Sequence, residues 1–249
     1  MGPDIVVMAG GYGTRMGPLA QKYGCKSLIP LNGIPALEYV IRALAFATVG
    51  QGRIILCIER PELYPSIYSL VGRIEVARHV EIYCDSHLKG TIHALYRLRS
   101  DLQGESIFVL YGHQPIDPGY FVRMQMHGKE SETLITLYPT SSNVSRKISV
   151  VRNGRISDLL QGGKEAGLEK SQYYIDVPYR FPMKFVQEQK DEYVRSHEAV
   201  QRWLEAKHKV KGRVARFPHE FHYPGELVEL AEFTRKLQEK LPGMEKSAA

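Results

Sequence analysis

The chain has 249 residues, 43% hydrophobic and 24% charged, with a formal net charge of +6 and a pI near 9.1. That length and apolar share can supply a full globular core, which excludes a disordered chain. The 33 basic residues are scattered among 27 acidic ones, so no element carries the clustered charge of a nucleic-acid footprint.

Ile5-Val6-Val7-Met8 reads as a buried strand, and residues 8–30, MAGGYGTRMGPLAQKYGCKSLIP, put a glycine-rich turn directly after it. Gly10, Gly11 and Gly13 are expected to turn with positive φ and bring backbone N–H groups close to an anion. Arg15 and Lys26 then add two cations, a combination that suits the triphosphate of a nucleotide. The commoner glycine motifs fit less well. The G-K-S/T ending of a Walker A loop is missing, and Met16 stands where the dinucleotide fingerprint needs glycine.

Pro35 opens a predicted helix whose Leu37, Val40, Ile41 and Leu44 recur at helical spacing. Predicted strands follow at Arg53 to Ile58, Val80 to Tyr83, Ser106 to Leu110 and Thr133 to Tyr138, with a helix over Thr91 to Leu102. This alternation is the sign of βαβ units and a parallel sheet. Such sheets bind ligands at the carboxyl ends of their strands, so the loops after Met8, Tyr83 and Leu110 are expected to converge.

Beyond residue 140 the character changes. Lys147 to Val151 and Arg155 to Leu159, joined by Asn153-Gly154, predict a β-hairpin, and a loop over Gln161 to Lys170 follows. Tyr193, His197, Val200 and Leu204 mark a helical stripe with Trp203 beside it. Arg213 to Phe217 reads as a late strand and Glu226 to Lys240 as a closing helix. The fold class expected is α/β: a Rossmann-like mixed, mainly parallel sheet flanked by helices, with β-rich additions in the second half. One domain over 1–249 is expected, with a nucleotide-binding half (1–140), an acceptor-binding half (141–240) and a tail (241–249).

Cys25, Cys57 and Cys84 are too few and too irregularly spaced for a disulfide framework or a zinc knuckle, which predicts reduced thiols. Cys25 lies beside Lys26 without a neighbouring general base to make it a nucleophile. There is no apolar stretch of about 18 residues and no basic-then-apolar start. The expectation is a soluble cytoplasmic protein without a nucleic-acid or membrane partner, and the sequence leaves a homo-oligomer open.

Gly10-Gly11-Tyr12-Gly13-Thr14-Arg15-Met16-Gly17-Pro18-Leu19, followed by Lys26-Ser27-Leu28-Ile29-Pro30-Leu31-Asn32-Gly33-Ile34-Pro35, resembles the signature of the sugar-1-phosphate nucleotidyltransferases. In that family it reads G-G-x-G-T-R-L/M-x-P-L, a spacer, then K-x-L-I/V-P-L/V-x-G-x-P. The resemblance implies a nucleotidyltransferase-like fold of the glycosyltransferase-A type, and transfer of a nucleoside monophosphate to a sugar phosphate or similar phosphorylated acceptor with release of pyrophosphate. It makes Arg15 and Lys26 the catalytic cations. It also makes Met8, Ala9, Gly10, Gly11, Gly13 and Thr14 the start of the nucleotide-binding set. Asp85-Ser86-His87-Leu88-Lys89-Gly90-Thr91 resembles the base-recognition loop and adds Asp85, Gly90 and Thr91. A carboxylate only accepts hydrogen bonds, which favours the donor-rich edge of guanine and hence GTP; capping of the loop is the other role open to Asp85.

The chain departs from the family at the metal site. Tyr111-Gly112-His113 places His113 where the family has a Mg²⁺-binding aspartate, and imidazole suits hard Mg²⁺ poorly. Asp117 is close in sequence, and Glu220 stands at the position of a second family aspartate. The implied cofactor is a divalent metal, Mg²⁺ or Mn²⁺, with Glu220, His113 and Asp117 as candidate ligands; a zinc reading of His219-Glu220-Phe221-His222 has the wrong spacing. Leu160-Gln161-Gly162-Gly163 and Tyr173 to Asp176 replace the family's sugar contacts. Two readings therefore stay open: an active transferase with an unusual acceptor, or a catalytically silent member retaining the nucleotide-binding scaffold as a regulatory or assembly subunit.

Overall fold

The structure, a computed structural model, describes residues 2–48, 52–75, 79–127, 129–139, 148–152, 155–160, 173–215 and 227–241. In chain order its regular elements begin β1 (Ile5–Met8), α1 (Pro18–Tyr23), β2 (Pro30–Leu31), β3 (Ile34–Pro35), α2 (Ala36–Thr48), β4 (Ile54–Ile58), α3 (Tyr64–Gly72) and β5 (Val80–Cys84). They continue with α4 (Thr91–Leu98), β6 (Ser106–Tyr111), α5 (Pro118–Gln125), β7 (Thr133–Pro139), β8 (Ile148–Arg152), β9 (Arg155–Leu160) and β10 (Tyr173–Pro182). The last are α6 (Met183–Gln187), α7 (Ser196–Glu205), β11 (Val210–Val214) and α8 (Leu227–Gln238). The fold class is α/β, with a Rossmann-like mixed sheet flanked by helices. Two compact units make up the chain: Met1–Leu88 with Leu110–Gln125 and Phe217–Ala249, and Lys89–Val109 with Met126–Arg216.

In the first unit β4 lies between β1 and β5, and both neighbours run parallel to it. Every residue of β4 is buried, as a continuous apolar run in a parallel sheet requires. Asp4 and Arg53 lock the entry to β1 and β4 through bonds of 2.7 and 3.2 Å, and Arg53 reaches Glu81 of β5 at 3.3 Å. Gly112 N–H donates to the Met8 carbonyl at 2.8 Å and sets the end of β6 beside β1. The helix α2 buries Leu37, Val40, Ile41 and Leu44, the residues its periodicity singles out, and packs against α5.

Pro35 is not the first helical residue. It ends β3, whose partner β2 begins at Pro30, and the two are joined by Asn32 (φ 51°) and Gly33 (φ 83°). Two successive left-handed residues make the tight hairpin turn for which Asn-Gly is suited. Asn32 Nδ2 also donates to the Ala231 carbonyl (2.7 Å) and to Thr234 Oγ1 (3.1 Å), tying the turn to α8. The Tyr39 hydroxyl donates to the Leu31 carbonyl at 3.0 Å from the α2 side.

The second unit carries the strand order β6-β10-β7-β11-β9-β8. The long strand β10 runs antiparallel to both β6 and β7, while β11 is parallel to β7. The β8–β9 hairpin is antiparallel as the sequence predicts, whereas its Asn153-Gly154 turn and the Gln161–Lys170 loop lie outside the described residues. β11 falls three residues earlier than Arg213 to Phe217. Its Val210 is buried and its Gly212 accommodates Leu137 of β7, so pairing selects a segment whose charges conceal it in the sequence. Tyr193 is 62% exposed and precedes α7; the helix buries Ala199, Val200 and Trp203 instead. Phe181 stacks on Phe185 at 4.1 Å between centroids, Phe185 meets Trp203 edge-on at 5.2 Å, and Trp203 stacks on His208 at 3.6 Å.

Asn32→Ala removes both hydrogen bonds to α8 and places an ordinary side chain at a positive φ. Urea denaturation is expected to show a loss of about 1–3 kcal/mol, whereas Asn32→Gly, which keeps the turn conformation, loses less.

Candidate functional site

The carboxyl ends of β1, β4 and β6 meet within the first unit, and backbone packing brings them together. A Cβ at Gly10 would lie 2.9 Å from the Glu59 backbone nitrogen and 3.0 Å from Ile58 Cα, so only glycine fits. Gly112 is equally constrained: its Cβ would meet Leu37 at 2.9 Å, Ser27 Oγ at 3.0 Å and Ala9 Cα at 3.3 Å. The Ala9 N–H donates to the Cys57 carbonyl at 2.9 Å and Asp85 N–H to the Ile58 carbonyl at 3.0 Å. The loops after Met8, Tyr83 and Leu110 thus converge as the sheet rule predicts, joined by the loop after Ile58.

The glycines differ in their reasons. Of the three, only Gly13 has a positive φ, at 59°; it starts the 3-10 turn Thr14–Met16. Gly10 is needed for close approach of two backbones, and Gly11 is exposed, with the nearest atom to a Cβ being Glu59 Oε1 at 4.0 Å. The expectation of positive φ at Gly10 and Gly11 is therefore corrected: packing, not a left-handed turn, excludes side chains from Gly10.

Lys26 is 8% exposed, and its stem lies against Gly13, where a Cβ would stand 2.7 Å from Lys26 Cγ. The loop and the lysine thus fit each other only because residue 13 has no side chain. Arg15 is exposed in the short turn beside it, and Met8, Ala9 and Thr14 flank the glycines. Cys25 is fully buried, its Sγ 3.5 Å from the Ala9 carbonyl, and burial pushes its thiol up. Cys57 is pushed up to about 12 by the same cause. These are packing thiols, and neither supplies a thiolate nucleophile at neutral pH.

Glu59 and Arg60, at the end of β4, belong to this region and escaped the sequence reading. Arg60 donates to the Gly24 carbonyl at 2.6 Å, pairs with Glu62 at 2.8 Å, and places its guanidinium 4.8 Å from the Tyr12 ring centroid. One side chain so tethers the glycine loop and the turn that leads into Lys26. Burial raises the Glu59 carboxyl, which Arg60 opposes. The signal was available: β4 is a central parallel strand, and its carboxyl end obeys the same rule as the others.

The Asp85 carboxylate accepts the His87 N–H at 2.9 Å on one oxygen and the Tyr83 hydroxyl at 3.2 Å on the other. This is an Asx turn that holds its own loop, so Asp85 performs the capping role among those the sequence left open. In the second unit Gly90 has φ 91° and precedes α4, which begins at Thr91. A Cβ at Gly90 would be in ordinary contact with the Tyr193 ring at 3.5 Å, so conformation rather than crowding calls for glycine there.

Among the described residues, the metal candidates His113 and Asp117 do not form part of a divalent cluster. His113 is half-buried after Gly112 and stacks on Tyr111, with centroids 5.5 Å apart and planes at 4°. Asp117 instead caps α5, accepting Tyr120 N–H at 2.6 Å, with Arg123 and Lys240 each 3.9 Å away. Glu220 lies outside the described residues, as does the His219–His222 segment. Among the described residues no three His, Cys, Asp or Glu side chains gather as metal ligands. This donor set does not fit Mg²⁺, which wants several oxygens.

The MobA-like NTP transferase domain model matches residues 5–173, more than half of the chain. The chain belongs to that family. Solved structures share the fold. The inositol-1-phosphate CTP transferase from T. maritima superposes with a TM-score of 0.77 at 15% identity, over 96% of this chain and 98% of the other. HddC from Yersinia pseudotuberculosis, complexed with GMP-PN, gives 0.69 at 18% identity over 92% and 98%. No curated protein matches the chain. The family match covers the glycine loop, Arg15, Lys26, Asp85 and His113, and no described helix is long and apolar enough to cross a membrane.

His113→Asp restores an oxygen donor at the end of β6. Mg²⁺ titration by calorimetry is expected to show tighter binding than in the wild type; an unchanged isotherm would place residue 113 away from any metal.

Proposed function

We propose that the protein transfers a nucleoside monophosphate from a nucleoside triphosphate to a sugar phosphate or similar phosphorylated acceptor. An acceptor phosphate oxygen forms a bond to the α-phosphorus, the bond from that phosphorus to the bridging oxygen breaks, and pyrophosphate leaves with the electron pair. The observation that carries this reading is the fit of the Lys26 stem onto Gly13 in a family-matched chain. It holds a cation, mostly withdrawn from water, against the loop whose amides face the phosphates. Charge held in place before reaction stabilises the transition state without reorganisation.

In this reading the amides from Gly10 to Thr14 cradle the polyphosphate, Arg15 neutralises the leaving pyrophosphate, and Lys26 contacts the α-phosphate or the attacking phosphate. Met8 and Ala9 complete the strand end on which the loop is built. Asp85, Gly90 and Thr91 form the nucleoside loop, with Asp85 shaping it through its Asx turn. GTP is the favoured donor, because a carboxylate such as Asp85 only accepts hydrogen bonds and guanine has adjacent donors. The GMP-PN complex of HddC supports a guanine base, while the CTP transferase of T. maritima supports another. The three free cysteines support action in a reducing compartment such as the cytoplasm.

The replacement of the family aspartate by His113, with no metal cluster among the described residues, favours a second reading: a silent member that binds nucleotide without transferring it.

Purified protein, given Mg²⁺ or Mn²⁺, a panel of sugar phosphates and ATP, CTP, GTP, UTP or dTTP in turn, is expected to release pyrophosphate. GTP should be preferred, and Lys26→Ala should lower the rate about 10²-fold or more. Equal background from wild type and variant, with nucleotide still bound, would select the silent reading. A clear preference for UTP or dTTP would remove the argument for guanine.

A further inference from the structure

His93 is the third residue of α4 and is 2% exposed, yet both of its ring nitrogens have partners. The Lys89 backbone N–H lies 3.2 Å from Nδ1, and Asp191 Oδ1 lies 2.8 Å from Nε2. A backbone N–H can only donate, so Nδ1 must be the unprotonated nitrogen and Nε2 must carry the proton given to Asp191. Asp191 sits in the segment between α6 and α7, and its carboxylate is held below the usual range first by the hydrogen bond from His93. Two residues further on, Tyr193 lays its ring along the open side of Gly90. The Lys89 ammonium, 3.8 Å from Asp191, closes the same arrangement.

Gly90 offers no side-chain cap to α4, and a glycine at φ 91° does not hold a turn by itself. The hydrogen bond from Lys89 to His93 does for this turn what the third residue of a capping box does, reaching back from the helix to a backbone donor before it. We propose that His93 and Asp191 are positioning residues for nucleoside recognition, fixing the Lys89–Gly90 turn through one imidazole tautomer, with Tyr193 bracing the glycine. The inference rests on the reading of residues 85–91 as the nucleoside loop. It also makes the segment between α6 and α7, remote in sequence from every signature residue, a determinant of which base is accepted.

The test separates nucleoside from polyphosphate. Binding of inorganic tripolyphosphate and of the tightest-binding triphosphate of the five above is measured by calorimetry for wild type, His93→Ala, His93→Asn and Asp191→Ala. His93→Ala is expected to weaken the nucleotide about tenfold or more, the loss of one well-placed hydrogen bond and the order it imposes, while leaving tripolyphosphate unchanged. His93→Asn keeps an acceptor near the Nδ1 position and should recover most of the loss; Asp191→Ala should fall between. Equal weakening of both ligands, or no effect on either, would overturn the inference. If the wild type binds the nucleotide no more tightly than tripolyphosphate, the nucleoside-loop reading itself fails, and the inference with it. Nitrogen-15 NMR of the wild type gives a check independent of any variant: the proton must reside on Nε2, and a proton on Nδ1 would overturn the assignment.

Discussion

Close approach of backbone to backbone at Gly10 is the constraint on which the candidate site depends. With the Glu59 nitrogen and Ile58 Cα about 3 Å from where a side chain would start, the chain leaving β1 passes directly over the end of β4. Gly112 does the same from β6 against Ala9 and Ser27. Ordinary side chains at these two positions would push the strand ends apart. The parallel sheet supplies the direction, since all its carboxyl ends face one way, and the glycines supply the proximity.

Upon that frame the charged groups are held by different means. Lys26 is held by packing, its stem on Gly13, and desolvation strengthens whatever its ammonium meets. Arg15 is exposed in the short turn beside it. Arg60 works through other residues, holding Gly24 and facing Tyr12, so that the two halves of the signature share one anchor.

The segment proposed to meet the nucleoside is organised by hydrogen bonds that the chain makes to itself. Asp85 accepts from its own neighbours, and His93 accepts from Lys89 while donating to Asp191. Order of this kind, held before a ligand arrives, lowers the entropy lost on binding. The departure at His113 stands apart. It stacks on Tyr111 as a flat half-buried ring, and Asp117, the nearest carboxylate in sequence, is committed to the start of α5.

By itself the sequence determined the parallel core strands, the helix α2, the signature loop and its two cations, because apolar runs and fixed glycine spacings are local patterns. The Asn32-Gly33 turn carries the same dipeptide signal as the β8–β9 hairpin, but its strands are only two residues long, and the sequence pattern places a helix start there instead. Tertiary structure alone decided that Gly10 is a packing glycine, that β11 begins at Val210, and that Asp191 meets His93. Each of these depends on partners far apart along the chain. Side-chain type and spacing do not encode such meetings; they exist only once the strands have paired and brought distant backbone within hydrogen-bonding reach.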